Sequence, residues 1–252
     1  NTIFRQYQHG AWSFDFIKDI LYTIYKIFPL HNKQCDQLRL IRLAKTHFRK
    51  VHISCQQVAL MDEWEAKIEA IANSTIPVDV TNLSGVPSWM LVLIKRILEK
   101  TGKQTLEEVW PNLEVFFHGG VAFTPYREQY RQVIHSSKMH YVETYNASEG
   151  YFGTQNDLSD PSMLLMIDYG VFYEFIPLED VEKENPRTYC LEEVELNKNY
   201  AMVISTSCGL WRYMIGDTVK FTRKNPYKFV ITGRTNVQLI NFWLHNFTCL
   251  IV

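Results

Sequence analysis

From Met163 to Thr232 the sequence is a string of short β-type runs, and no other feature narrows the possible folds as much. The runs are Met163 to Ile167, Val171 to Ile176, Ala201 to Thr206, Leu210 to Met214, Val219 to Thr222 and Phe229 to Thr232. Turn signals such as Asp168-Tyr169-Gly170 and Asn225-Pro226 separate them, which predicts a mostly antiparallel sheet. Ahead of them the pattern is helical. Apolar residues recur at three- and four-residue steps over Phe14, Ile17, Leu21, Ile24, Tyr25 and Phe28, one face of a helix stopped by Pro29. Leu38 to Lys50 is basic and compatible with a helix. Ala59 to Ala72 is the clearest helix, with Leu60, Trp64, Ile68 and Ile71 on one face and Glu65 and Glu69 outside. Ser88 is placed as N-cap of an apolar helix from Trp89 to Lys100, closed by Gly102. Asn112 to Phe117 reads as a buried strand running into His118-Gly119-Gly120, after which Thr124-Pro125 caps a helix through Ile134. Lys138 to Tyr145 reads as a second strand entering a loop from Asn146 to Gly150. The expected fold class is α/β with mixed α+β character: a parallel or mixed sheet with helices, then a mostly antiparallel β region. No repeat, low-complexity tract or linker interrupts Val58 to Arg234, so that stretch is taken as one domain.

A chain of 252 residues, 46% of them hydrophobic, can bury a sizeable core. Its 26 basic and 27 acidic side chains leave a formal charge of -1, so no global field would draw it to nucleic acid or an anionic membrane. Neither is expected as a partner. The five cysteines are scattered, without a Cys-x-x-Cys pair, which points to a reducing, cytoplasmic location. The start, Asn1-Thr2-Ile3-Phe4-Arg5, lacks a targeting pattern and an initiating Met and reads as an internal cut. The apolar stretch Phe14 to Phe28 is broken by Asp15, Lys18, Asp19 and Lys26 and falls short of the roughly 20 residues of a membrane span.

Two features place a carboxylate just after a strand: Tyr145-Asn146-Ala147-Ser148-Glu149-Gly150, and Trp211 to Gly216-Asp217. Strand ends hold loops in register and leave backbone donors open, so ligands are often met there. The plain alternative is an acidic turn residue in solvent. His118 can act as a cation but is more often a satisfied structural residue in such a place. Arg212 is by default solvated or paired across the sheet. Ser205 to Gly209 is rejected as a phosphate loop, because it precedes a β-type run and not a helix N-terminus. Metalloprotease, hydrolase-elbow and P-loop patterns do not occur.

The strings VALMDEWEAKIEAIA, GVPSWMLVLIKRILEKTGK, EVWPNLEVFFHGGVAFTPYREQY, YVETYNASEGYFGTQND, MLLMIDYGVFYEFIPLED, NYAMVIST, GLWRYMIGDTVKFT and ITGRT follow one another between Val58 and Arg234. In that order they resemble the Gretchen Hagen three family of acyl-acid amido synthetases, nearer its bacterial branch than its plant one, within the acyl-adenylate-forming superfamily of firefly luciferase. The resemblance implies part of that superfamily's large N-terminal domain, with ATP and Mg²⁺ as cofactors and a small carboxylic acid and an amino acid as substrates. It implies that Tyr145 stacks on adenine, that Asn146 and Ser148 lie at the nucleotide with the Ser148 hydroxyl near the α-phosphate, and that Glu149 helps hold Mg²⁺. It also implies that Gly119 and Gly120 let the backbone approach adenine, that Asp217 takes both ribose hydroxyls, and that Arg234 reaches the ribose and phosphate. Glu149 and Arg234 are thereby the candidate catalytic residues.

Relatives of this kind carry a Ser/Thr/Gly-rich triphosphate loop and a mobile C-terminal domain with a catalytic Lys, and the sequence matches neither. Residues 1–57 are unfamiliar, and Asn236 to Val252 turns apolar where a polar hinge is expected. The expectation is therefore a nucleotide-binding core at 58–234 between an atypical helical segment (1–57) and an atypical tail (235–252), giving little or no turnover as it stands. A non-catalytic interaction protein that keeps the scaffold is the alternative.

Overall fold

A computed structural model describes residues 58, 61–235 and 250–251. The helices expected over 13–28 and 38–50, residues 59–60 and most of the tail lie outside the described residues. The chain divides into two compact units, Asn1–Val142 with Phe242–Val252, and Glu143–Asn241. The division falls within the 58–234 stretch.

In the first unit, helix α1 (Trp64–Thr75) begins later than periodicity suggests. Glu63 is extended, and its carboxylate accepts from the N–H groups of Glu65 and Ala66, so the helix starts behind that cap. Ile68, Ile71 and Ala72 form its buried stripe. Helix α2 (Pro87–Thr101) has Val86 at its N-cap with no side-chain bond, not Ser88. Proline at the first helical position explains the shift, since its φ is preset and it has no N–H to satisfy. Gly102 closes the helix at φ 66°, as expected. Glu69 does not simply face water: it bonds Arg96 at 2.9 Å and also Lys100, tying α1 to α2.

Two short strands, β1 (Asn82–Gly85) and β2 (Val115–His118), pair in parallel with Leu83 opposite Phe116. A further strand at Leu250–Ile251 pairs antiparallel with β1. Beyond β2 a 3₁₀ turn at Thr124–Tyr126 leads into helix α3 (Arg127–Val133), two pieces where one helix is expected. Leu93, Ile94, Trp110, Phe116 and Tyr130 are fully buried. The two polar rings keep their donors satisfied: Trp110 Nε1 donates to the Thr75 carbonyl at 3.1 Å and Tyr130 to that of Pro87 at 2.8 Å.

The second unit is antiparallel sheet. Strand β3 (His140–Ala147) starts in the first unit, and its later half pairs with β4 (Gly150–Gln155). There follow β5 (Met163–Leu165), β6 (Val171–Pro177), β7 (Asn199–Thr206), β8 (Tyr213–Lys224) and β9 (Tyr227–Arg234). From β3 the pairing order runs β3-β4-β5-β9-β8-β7-β6. The loop expected from Asn146 to Gly150 is a tight hairpin, because β3 runs on to Ala147 and only Ser148 and Glu149 make the turn. The runs expected at 210–214 and 219–222 are one strand, β8, from Tyr213; Gly216 carries φ +91° without ending it. The core here is aromatic, with Phe152, Phe175, Tyr200, Phe221 and Phe229 fully buried. A Cβ on Gly153 would stand 2.7 Å from the Phe229 ring, so glycine is what lets β4 lie against it. Among the described residues no helix is long and apolar enough to cross a membrane.

Lys228 is 3% exposed, and its ammonium meets Asp160 at 2.8 Å. That bond and the Ser162 N–H hold the Asp160 carboxyl down at about 2. Against an ordinary value of about 3.9, the pair stabilises the fold above that pH and loses its contribution as pH falls toward the lowered value. The two deletions should be unequal. Asp160→Ala strands a buried ammonium and should cost about 3–5 kcal/mol. Lys228→Met leaves a carboxylate that keeps the Ser162 N–H and water, and should cost about 1 kcal/mol or less in urea denaturation.

Candidate functional site

The second unit brings Tyr145, Asp217 and Arg234 together from strands β3, β8 and β9. Asp217 and Arg234 are direct partners across the β8/β9 ladder, so the sheet's own register sets an acid beside a base. Arg234 Nε lies 3.5 Å from Asp217 Oδ1, and its Nη2 donates to the Ile215 carbonyl at 3.4 Å. Gly216 makes room for this. A Cβ there would lie 3.2 Å from Arg234 Nη2, on a backbone whose φ already favours glycine. The Gly216 carbonyl accepts from the Thr235 N–H at 2.8 Å, which fastens the end of β9 beside the acid.

From the other side, Tyr145 on β3 donates its hydroxyl to Asp217 Oδ2 at 2.7 Å. Its ring is 4% exposed and packs against Phe152 and Phe229. Burial pushes the phenol's pKa far up; the negative charge of Asp217, the hydrogen bond to it and the charge of Glu149 add to the rise, while Arg234 opposes it. The hydroxyl therefore stays a donor at any working pH. The charge of Glu149, with burial and a hydrogen bond to it, likewise raises the phenol of Tyr213. Glu149 and Asp217 both act electrostatically on this buried hydroxyl, although they sit on different hairpins.

The structure places the other candidates as follows. Ser148 is exposed at the hairpin turn, and Asn146 is half-buried on β3 opposite Tyr151. Gly119 and Gly120 belong to the first unit, just after β2, where Gly120 turns at φ +80° with Val86 beside it. Tyr213 and the bond between Tyr145 and Asp217 were not anticipated. The even step of four from Tyr213 to Asp217 along one strand is the signal that points to the first. Arg212 pairs across the sheet, its Nε on Glu174 at 3.1 Å and its Nη2 on Thr188 at 3.2 Å. Ser205 and Thr206 end β7 and Ser207 to Gly209 turn the chain, closed by the Gly209 N–H on the Thr206 carbonyl at 3.2 Å.

Among the described residues no group of three or more His, Cys, Asp or Glu is arranged to hold a metal ion. Glu149 alone suits only a hard cation that takes its remaining ligands from water and phosphate oxygens, which is how Mg²⁺ is commonly bound.

Comparison with known proteins then gives two matches to one family. The model described as GH3 family N-terminal domain matches residues 45–139, and that described as GH3 family central domain matches residues 164–234. The chain belongs to the GH3 family. Indole-3-acetic acid-amido synthetase GH3.4 of Arabidopsis thaliana is 28% identical over 206 residues, covering 71% of this chain and 33% of that protein. Jasmonoyl--L-amino acid synthetase GH3.5 of Oryza sativa subsp. japonica is 32% identical over 155 residues, 53% of this chain and 26% of that protein. The chain thus spans about a third or less of the length of these GH3 relatives. Among solved structures, GH3.15 acyl acid amido synthetase has a TM-score of 0.54 at 18% identity, covering 73% of this chain and 42% of the other. A 2-hydroxyisobutyryl-CoA ligase in complex with 2-HIB-AMP and CoA has a TM-score of 0.50 at 14% identity, covering 68% and 40%. These likenesses show the fold: the described residues carry part of the acyl-adenylate-forming fold, mixed α/β with a mixed sheet.

His118 is 4% exposed and stacks on Phe123 at 4.3 Å, with Arg127 over the far ring. Burial, then the charge of Arg127, lowers its pKa to about 4, so it is neutral at pH 7 and not a cation for a ligand. A folded value below the unfolded one of about 6.5 means that stability is intact above that pH and falls between it and the lowered value. From pH 7.5 to pH 5 urea denaturation should show a loss of about 2 kcal/mol from this group, and His118→Phe should remove that part of the loss.

Proposed function

We propose that the chain is the nucleotide-binding part of an ATP-dependent acyl-acid amido synthetase, with residues 58–234 as its nucleotide-binding core. The observation that carries this reading is the convergence of the Tyr145 hydroxyl and Arg234 on Asp217, with Glu149 in the turn after the strand that carries Tyr145, in a GH3-family chain. Asp217, on β8 and paired to Arg234 of β9, would accept both hydroxyls of a ribose. Arg234, half in solvent, can reach sugar and phosphate oxygens. Glu149 at the hairpin turn would hold Mg²⁺ jointly with those phosphate oxygens, and the exposed Ser148 hydroxyl and Asn146 would lie beside them. When bound, Mg²⁺ neutralises charge on the phosphates as it accumulates.

In the reaction the carboxylate of a small acid attacks the α-phosphorus of ATP in line and pyrophosphate leaves; the amine of an amino acid then takes the acyl group and AMP departs. Names of relatives, with indole-3-acetic acid and jasmonoyl groups, support small acids of that kind and amino-acid acceptors. None of this asks the protein for a covalent bond. It asks for fixed donors and fixed charges, which is what strand-borne side chains supply. Exposed free thiols at Cys190 and Cys208 support a cytoplasmic location.

Calorimetry with AMP and Mg²⁺ tests the reading. Asp217→Ala should weaken binding about 10- to 100-fold, as expected for a lost charged hydrogen-bond partner, and Glu149→Gln should weaken the Mg²⁺-dependent part. Pyrophosphate release with ATP and a panel of aryl and indole acids reads the chemistry itself. Wild-type affinity for AMP in both variants would contradict the assignment.

A further inference from the structure

The resemblance gives Tyr145 the role of a ring stacked on adenine, but its surroundings describe a different residue. Its ring centroid lies 5.2 Å from that of Phe152 and 6.0 Å from that of Phe229, and 4% of the residue is exposed. Its register partner on β4 is Gly153, whose missing Cβ lets the same Phe229 ring close in. The ring is caged. What it offers is the hydroxyl, aimed at Asp217 Oδ2 at 2.7 Å. Burial in this cage keeps that hydroxyl protonated, so it can only donate to the acid.

A carboxylate has about four lone-pair positions and turns freely unless something fixes it. Here Oδ2 takes the Tyr145 proton and Oδ1 faces Arg234 Nε at 3.5 Å. With both oxygens engaged from the protein side, the plane of the carboxylate is set. The remaining lone pairs are the ones open to a ligand, and the side chain is 16% exposed. We propose that Tyr145 is a positioning residue: its hydroxyl fixes the Asp217 carboxylate so that the free lone pairs meet a ribose cis-diol, and preference for ribo- over 2′-deoxyribonucleotides runs through it. This rests on the reading of Asp217 as the ribose-binding acid. A stacking ring would tolerate phenylalanine; a positioning hydroxyl would not.

The test is calorimetry of AMP and of 2′-deoxy-AMP against the full chain as wild type, Tyr145→Phe and Asp217→Asn, with near-ultraviolet circular dichroism to verify folding. The wild type should prefer AMP, and Asp217→Asn should erase that preference. Tyr145→Phe keeps the caged ring and should lose AMP affinity about threefold to tenfold, the worth of one hydrogen bond, with 2′-deoxy-AMP little changed. If Asp217→Asn erases the preference and Tyr145→Phe retains it, the positioning role is overturned while the ribose reading stands. Equal weakening of both nucleotides by Tyr145→Phe overturns the positioning role as well. Absence of any preference in the wild type, or its survival in Asp217→Asn, overturns the ribose reading and this proposal with it.

Discussion

One hydrogen bond organises the candidate site: a phenol on a buried ring donates to the Asp217 carboxylate on an inner strand of the sheet. Its strength comes from where it sits. Burial of the ring limits competition from water, and charge on the acceptor makes the bond stronger than one between neutral groups. It links the hairpin that carries Glu149 to the strand that carries Asp217, and through the β8/β9 ladder to Arg234. Removing the acid would leave a buried hydroxyl without this acceptor; removing the hydroxyl would leave the acid held only by Arg234. The two are therefore best understood as one device.

The rest of the antiparallel unit serves that device. Aromatic side chains fill the space beneath it, and two glycines give way at the close approaches, Gly153 to the Phe229 ring and Gly216 to the Arg234 guanidinium. Reactive charges on rigid strands suit a reaction in which the protein only positions and neutralises. The chain belongs to the GH3 family, and under the proposed reading the charges of Asp217 and Arg234 on neighbouring strands would give a nucleotide its place.

Much of this was legible in the sequence. The short β-type runs announced the antiparallel unit, Gly102 marked the end of α2, and Glu149 does follow a strand, whereas Asp217, expected just after one, lies inside β8 because the strand runs on through Gly216. The misplacements have local causes. Ser88 looked like a cap, but proline at the helix start needs none. The polar stretch from Asn146 to Gly150 looked like a loop, yet ladder pairing carried the strand through it to a two-residue turn. Gly216 looked like a break in a strand and is a bend within one. Least legible was Tyr145, because an aromatic residue ahead of an acid is compatible with stacking or with packing. Only its burial and the aim of its hydroxyl distinguish the two, and neither is a property of local sequence.

The most direct measurement of the central claim is X-ray diffraction from crystals of the chain soaked with AMP and Mg²⁺. The account predicts ribose oxygens within hydrogen-bond distance of Asp217, the phosphate toward Glu149 and Arg234, and the hydroxyl of Tyr145 still on the acid. Nucleotide density at another surface, with Asp217 and Glu149 untouched, would contradict it.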